Sequence, residues 1–450
     1  MNYEKIKSIV LTLLVAMSIF LTWNLWTYQP QYNEIESTEA FDVSIGKERK
    51  KLELIKPYKV FYNHDNKISG SQDSDEIDTV LYEMSSWRLV NTKDVSNQYT
   101  DAEIEELIQA PDMINLVFPD SVPLSLYKKI IKFDENNIPK TTFNRIVIDM
   151  NYNNSSNGIV YFVLYGEENE KVVVESKVDA DKLQTLEKKF VQKAVYSDSY
   201  AEYFKYKLND RKTILLPVKA GEYYKIKYST EQLNAEDFVK ALFKDPSNVS
   251  HNSTGTEKIY RDSFSLMKIN EDYSTLSFVT PGVDAATNIS GDLLIENSIQ
   301  FVNEHGGWTD QFRFFSLSRE ESKIEYRMFL DDFPVFSDIY GMTEIAQIWG
   351  IDTIHQYQRP FYQLVENYSS IFELVKVQLP SGYTVQQALE ESEMDLDYVE
   401  DIAIGYKLTR DSTNEDILLY DFKPSWYYKY SGSWLRLPLD EFGGIENGLE

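Results

Sequence analysis

Cysteine is absent from all 450 residues, which removes disulfides, thiolate metal sites, thiol nucleophiles, c-type haem attachment and a cysteine-based lipid anchor together. Glycine (18) and proline (14) are sparse, so the chain is neither collagen-like nor a Pro/Gly-rich coil. Positive charge is also short. Lys and Arg total 45 against 72 Asp and Glu, a formal charge of −27, and a surface this acidic repels phosphate backbones. Nucleic acid is therefore excluded as an expected partner. What remains is 42% hydrophobic and 14% aromatic, with 32 Tyr, whereas disordered acidic chains are poor in aromatics. The expected molecule is folded and strand-containing, and its length suggests two to four domains at roughly 100–200 residues each.

Long apolar runs are missing except at the start. Ser8 to Trp26 carries no charge over 19 residues. At about 1.5 Å per residue, a helix of that length crosses a hydrocarbon core of ~30 Å. The run ends in Trp23, Asn24, Leu25, Trp26, Thr27 and Tyr28, an interfacial aromatic belt rather than the small residues of a signal-peptide cleavage site. A retained transmembrane helix is expected. Lys5 and Lys7 precede it and Glu34, Glu36 and Glu39 follow it, so the positive-inside rule places the N-terminus in the cytoplasm and the rest outside. Setting aside Glu4, Lys5 and Lys7 leaves 43 basic and 71 acidic residues, a charge of −28 on the exported part. Ser8, Thr12 and Ala16 recur every four residues, a small-xxx-small stripe that permits close approach of another transmembrane helix.

The exported chain reads as α+β, a multidomain region of mixed helices and antiparallel sheets. Glu34 to Lys56 is polar and joins anchor to body. Helical spacing appears in Ile77, Val80, Leu81 and Met84, in Ile104, Leu107 and Ile108 up to Pro111, and over Leu124 to Ile131. Arg145–Met150 alternates as a strand, Gly158–Tyr165 and Lys171–Val178 read as a hairpin, and a helix follows from Asp179 to about Lys193. A helix-then-meander grammar then repeats: Ala235–Phe243 capped by Asn234, Leu293–Glu304 and Val385–Glu390 each precede short strands. The expected boundaries are an anchor over 1–33, an N-terminal α+β domain over 34–210, a central one over 211–285 and a C-terminal one over 286–450.

Chemistry-bearing motifs do not stand out. His64, His251, His305 and His355 have no partners at metal spacing, and neither HExxH nor a phosphate-cradling glycine loop occurs. Gly306 and Gly307 read as a helix terminus. Ser44-Ile-Gly-Lys47 and Ser125-Leu-Tyr-Lys128 satisfy S-x-x-K, but SDN and KTG are missing. Asp331 and Asp332 are the best candidates for a hydrolytic carboxylate pair, and Asp73, Asp75, Glu76 and Asp78 for calcium, although the EF-hand order is lacking. Solvated acidic surface explains either group more simply. The aromatic stretch Tyr357–Tyr362 is a candidate ligand surface, with core packing as the competing reading. No cofactor, metal or catalytic residue is expected.

The opening Lys5-Ile-Lys-Ser-Ile-Val-Leu11, the span, the exit Leu21-Thr-Trp-Asn-Leu-Trp-Thr-Tyr-Gln-Pro30 and the acidic cysteine-free body together resemble the YycH (WalH) family of low-GC Gram-positive bacteria. Phe238-Val-Lys-Ala-Leu-Phe-Lys-Asp-Pro-Ser-Asn-Val249 and Pro424-Ser-Trp-Tyr-Tyr-Lys-Tyr-Ser-Gly432 are similar to segments of that family and its sister, YycI. The resemblance spans essentially the whole chain. It implies a non-enzymatic, membrane-anchored regulator that, with YycI, modulates and most often restrains the sensor histidine kinase WalK (YycG), partly through transmembrane helix contacts. It also implies a three-domain extracytoplasmic region whose last two domains are YycI-like.

Overall fold

The computed structural model describes residues 7, 11–18 and 45–439, apart from 136–137, 153–155, 167–169, 198, 210–211, 287–288, 366–370 and 412–417. The chain divides into a short unit, Met1–Asp42, and a body, Val43–Glu450. In the short unit residues 11–18 are helical and exposed. Among the described residues no helix is long and apolar enough to cross a membrane, and most of the run from Ser8 to Trp26 lies outside them.

The body begins with a hairpin that its turn chemistry dictates. Strands β1 (Lys59–His64) and β2 (Lys67–Ser71) are joined by Asp65 and Asn66 at φ 43° and 62°, the left-handed pair that suits right-twisted strands. There follow β3 (Arg88–Asp94), β4 (Met113–Pro123), β5 (Lys132–Phe133), β6 (Thr142–Asp149), β7 (Asn157–Leu164), β8 (Val172–Asp179), β9 (Ala201–Asn209) and β10 (Lys212–Pro217). They form one sheet in the order β10-β9-β2-β1-β4-β6-β7-β8-β3-β5. Every pairing is antiparallel except the short β3–β5 contact.

Helices cover both faces of this sheet. Helix α1 (Ser74–Ser85), capped by Asp73, buries Ile77, Val80, Leu81 and Met84 in the cluster that holds Val60, Ile146 and Phe162. Helix α2 (Asp101–Gln109), held by a Thr100–Glu103 capping box, buries Ile104 and Ile108 in another cluster with Val147, Val163 and Val173. Because Ile146 and Val147 point to opposite faces and both are covered, Ile146–Ile148 of β6 and most of β7 are continuously apolar rather than alternating. A third helical stretch, α3 (residues 180–196), runs through a π turn at Glu187–Val191.

The second sheet contains β11 (Gly221–Gln232) and, after α4 (Ala235–Leu242), the meander β12 (Ser250–Thr254), β13 (Glu257–Arg261), β14 (Leu266–Asn270) and β15 (Thr275–Val279). After α5 (Gly291–Glu304) come β16 (Phe312–Ser318), β17 (Lys323–Leu330), β18 (Phe333–Phe336), β19 (Glu344–Trp349), β20 (Ile354–Pro360), β21 (Tyr362–Leu364) and β22 (Ile371–Leu379). Helix α6 (Gly382–Glu391) leads into β23 (Val399–Asp411), β24 (Leu419–Tyr430) and β25 (Ser433–Leu437). The path is β12-β13-β14-β15-β20-β19-β17-β18-β23-β24-β11-β21, with β16 on β17, β22 on β11 and β25 on β24. Pairing of β15 with β20 and of β11 with β24 ties residues 211–285 and 286–450 into this single sheet.

Two expectations change. The helix over Leu124–Ile131 is a single turn, Leu124–Tyr127, continued by hydrogen-bonded turns in which Ile130 and Ile131 N–H donate to Tyr127 O, and the Tyr127 ring packs edge-on against Phe118 and Phe143. The stretch Tyr357–Tyr362 is core: Tyr357, Phe361 and Tyr362 are at most 2% exposed, so it offers no ligand surface.

The two sheets meet through an apolar seam of Phe61, Val117, Phe315, Phe329, Phe336 and Tyr427. Ile45–Arg49, the first described residues of the body, lie against the end of α5. Gly46 N–H donates to Gly306 O (2.5 Å), and Lys47 and Trp308 exchange backbone hydrogen bonds of 3.0 and 2.9 Å.

Candidate functional site

A cavity of about 60 Å³ opens beside the seam. Its wall comes from both halves of the body: Lys59, Asp120 and Arg145 from β1, β4 and β6, Tyr165 from just beyond β7, Lys212 from β10, and Glu400, Asp401 and Lys429 from β23 and β24. Four cations and three carboxylates line it, an inversion of the chain's overall acidity.

Two β-bulges aim these side chains. The β4–β6 register slips between Val117 and Val122, freeing Phe118–Ser121 from regular pairing and turning Asp120 into the cleft. The β23–β24 register slips between Val399 and Asp401, leaving Glu400 as the extra residue. Asp401 then faces β1. It accepts from Lys59 Nζ (3.1 Å), from the Tyr58 hydroxyl and from Ile402 N–H (2.7 Å), while Lys59 also donates to Ile402 O (2.9 Å). Burial alone would push the Asp401 carboxyl up, but the Lys59 ammonium and the Tyr58 hydroxyl outweigh it and hold the group below the usual Asp range. Burial and the neighbouring Asp401 push the Tyr58 phenol well above its ordinary value, so it stays a donor.

The remaining acids are also committed. Asp120 accepts from Leu317 N–H (2.9 Å) and Ser121 N–H (2.6 Å), and burial pushes its carboxyl up. Glu400 takes Lys429 Nζ (2.8 Å) and Gly432 N–H (2.6 Å).

Arg145 is different. Its guanidinium lies 4.7 Å from the Tyr165 ring centroid and, among the described residues, has neither a carboxylate within 4 Å nor a hydrogen bond. Burial pushes its pKa down despite Tyr165 and Asp401 nearby. The ring beneath it is rigidly placed. Asn144 exchanges two 2.9 Å hydrogen bonds with the Tyr165 backbone, and the Tyr165 hydroxyl accepts from Thr213 N–H (2.8 Å). On its far side Arg145 borders a chamber of about 10 Å³ where the buried Oδ1 atoms of Asn63 and Asn115 accept nothing from protein.

None of the residues singled out from sequence lines this cleft. Ser8 lies outside the described residues, and Thr12 and Ala16 are exposed on one face of the 11–18 helix. Asp331 and Asp332 form the two-residue turn between β17 and β18 at φ 44° and 69°. Burial favours the neutral acid in both; Arg313 (3.0 Å) and Ser74 nonetheless keep Asp332 below the usual range, and Asp331 is raised. Because Asp332 is bound in that pair, the two do not face one another across an open gap as hydrolytic carboxylates must.

The acids after β2 have structural partners. Asp73 caps α1, Asp78 pairs with Lys56 (3.0 Å), and Glu76 accepts from Tyr200 (2.9 Å). Among the described residues no cluster suits a metal. His64 bonds Ser69, His305 and His355 bond backbone carbonyls, and His251 stacks on Tyr260. What reading of the sequence missed is Tyr58, Lys59, Arg145 and Asp401. The one local signal is a lysine and an arginine inside otherwise buried strands.

Comparison with known proteins agrees along the length of the chain. Residues 4–194 match the N-terminal domain family of YycH protein and residues 211–442 its C-terminal domain family. The two-component system WalR/WalK regulatory protein YycH of Bacillus subtilis (strain 168) is 26% identical over 467 residues, covering all of both chains. The crystal structure of YycH from Bacillus subtilis superposes with a TM-score of 0.72 at 23% identity, over 88% of this chain and all of that one. The cleft lies where the two matched regions face each other, and with both regions present in order the chain belongs to the YycH family.

Proposed function

We propose that this protein is a non-enzymatic regulator of a WalR/WalK-type two-component system. The carrying observation is end-to-end similarity to a curated WalR/WalK regulatory protein. The finer reading is that it is held in the membrane by a helix over Ser8–Trp26, with its N-terminus cytoplasmic and its body outside. There it modulates, and most often restrains, the kinase WalK together with YycI. The uncharged span, its aromatic exit and the Lys5/Lys7 flank support the placement. The absence of any recognisable catalytic motif in the sequence supports a role in binding.

A partner shifts a two-state kinase only by binding its states unequally. Helix contacts in membranes contribute about 1–2 kcal/mol, enough for a roughly tenfold change in output. Contact through Ser8, Thr12 and Ala16 is the proposed route. A kinase-dependent reporter should change in a strain lacking the protein; unchanged output removes the reading. Thr12→Leu and Ala16→Leu should weaken association in a membrane two-hybrid assay, and wild-type signal from both discards that face.

A further inference from the structure

We propose that the cleft between the two sheets is a carboxylate-binding site, in which the Arg145 guanidinium receives the planar monoanionic head of a small carboxylate or of a peptide C-terminus. Of the four lining cations Lys59 and Lys429 bond carboxylates and Lys212 is already engaged, whereas the Arg145 guanidinium has no carboxylate partner and no hydrogen bond among the described residues. An arginine presents N–H groups in a fixed fork that matches a carboxylate in two parallel hydrogen bonds. The Tyr165 ring stacked on it fixes that fork, so little side-chain freedom is lost on binding.

The surroundings select the class of ligand. Asp120, Glu400 and Asp401 already neutralise most of the positive charge, so a single negative charge is accommodated and a dianion is repelled. Phe61, Val117 and Leu215 supply an apolar wall beside the charged one. A volume of about 60 Å³ admits a carboxylate with a methyl or two, since one water needs roughly 10–15 Å³ on the same measure. The chamber behind Arg145 offers only carboxamide oxygens and room for about one water, so it does not compete for an anion. Occupancy here is independent of whether the chain acts on a kinase.

Full-length protein in detergent micelles, in buffer free of carboxylate and phosphate, is titrated with sodium acetate, N-acetyl-dialanine or inorganic phosphate against sodium chloride at equal ionic strength. Binding is read by the shift in Tm and by ligand-observed NMR. Both carboxylates should saturate, with phosphate weaker by about tenfold. Arg145→Gln should weaken carboxylate binding by about tenfold or more, the usual effect of losing a charge-assisted hydrogen-bond pair. If that variant does not fold, Arg145→Lys, which keeps the charge and loses the fork, should still weaken it severalfold. Tighter dipeptide binding supports a chain terminus as the source, and equal or tighter acetate binding supports a free small carboxylate. No saturable binding of either carboxylate, unchanged affinity in the Arg145 variants, or tighter binding of phosphate overturns the site.

Discussion

Lys59 sits in the middle of the first sheet with 7% of its surface exposed, and its ammonium is tolerable there because Asp401, 342 residues later in the chain, is delivered to it by a bulge. Removing one member of such a pair leaves the other charge buried and uncompensated. Asp401→Asn should therefore cost about 3 kcal/mol in urea unfolding of the full chain. Adding Lys59→Met to that variant should restore part of the loss, because the orphaned charge is gone; a double mutant no better than the single one refutes the pairing argument. The same pair sets an acid dependence. The Asp401 carboxyl is held below its unfolded value of about 3.9, so its contribution is complete above that pH and is lost as pH falls through the lower folded value. Wild-type stability should fall more steeply below about pH 4 than that of Asp401→Asn, and equal slopes would show that the group is not ion-paired.

The packing of the body's first residues depends on glycine. A Cβ on Gly46 would stand 2.4 Å from Trp308 O and 2.8 Å from Thr309 N, both backbone atoms that cannot swing aside. Gly46→Ala should detach the Ile45–Arg49 segment from the end of α5, lose its hydrogen bonds to Gly306 and Trp308, and cost about 1–3 kcal/mol. Faster hydrogen exchange at Lys47 and Trp308, with β1–β8 unchanged, is the expected signature.

Local signals made much of this architecture readable. The stripes in α1 and α2, the Asn234 cap, the β7–β8 hairpin and the glycine stop after α5 each depend on residues within a few positions of one another. By contrast Met113–Phe118 is apolar at every position but Asn115, a short run that periodicity cannot assign to helix or strand, and it proves to be the start of β4. The cleft was not legible at all. Its parts come from β1, β4, β6, β10, β23 and β24, and the two bulges that aim Asp120 and Asp401 have no sequence mark, since they depend on which strands become neighbours.

Although the family match falls into two pieces, the body has reason to behave as one cooperative molecule. On the second sheet's side of the seam Phe315 packs against Phe329, Phe336 and Trp434 at 6.4, 5.9 and 5.7 Å, with Arg327 4.8 Å from its ring, and it shares one buried cluster with Phe61 and Val117 of the first sheet. The Lys59–Asp401 and Arg313–Ser74 bonds cross the same boundary. Asp120 reaches over it to Leu317 N–H, and Ser125 reaches Asp292 on α5 (3.1 Å). Opening the halves would expose those rings and strand several buried polar groups at once, a penalty comparable with the ~5–15 kcal/mol that stabilises most domains. Amides of β1–β8 and of β16–β24 should accordingly share one limiting exchange free energy in native-state hydrogen exchange of the full chain. Phe315→Ala removes the centre of the seam and should cost about 3–5 kcal/mol. With that coupling weakened, the two sheets should exchange with distinct free energies. Wild-type protein that already shows two levels would mean that the seam is a contact between independent bodies, and a variant that still shows one would place the coupling in the ion pairs rather than in the aromatic cluster.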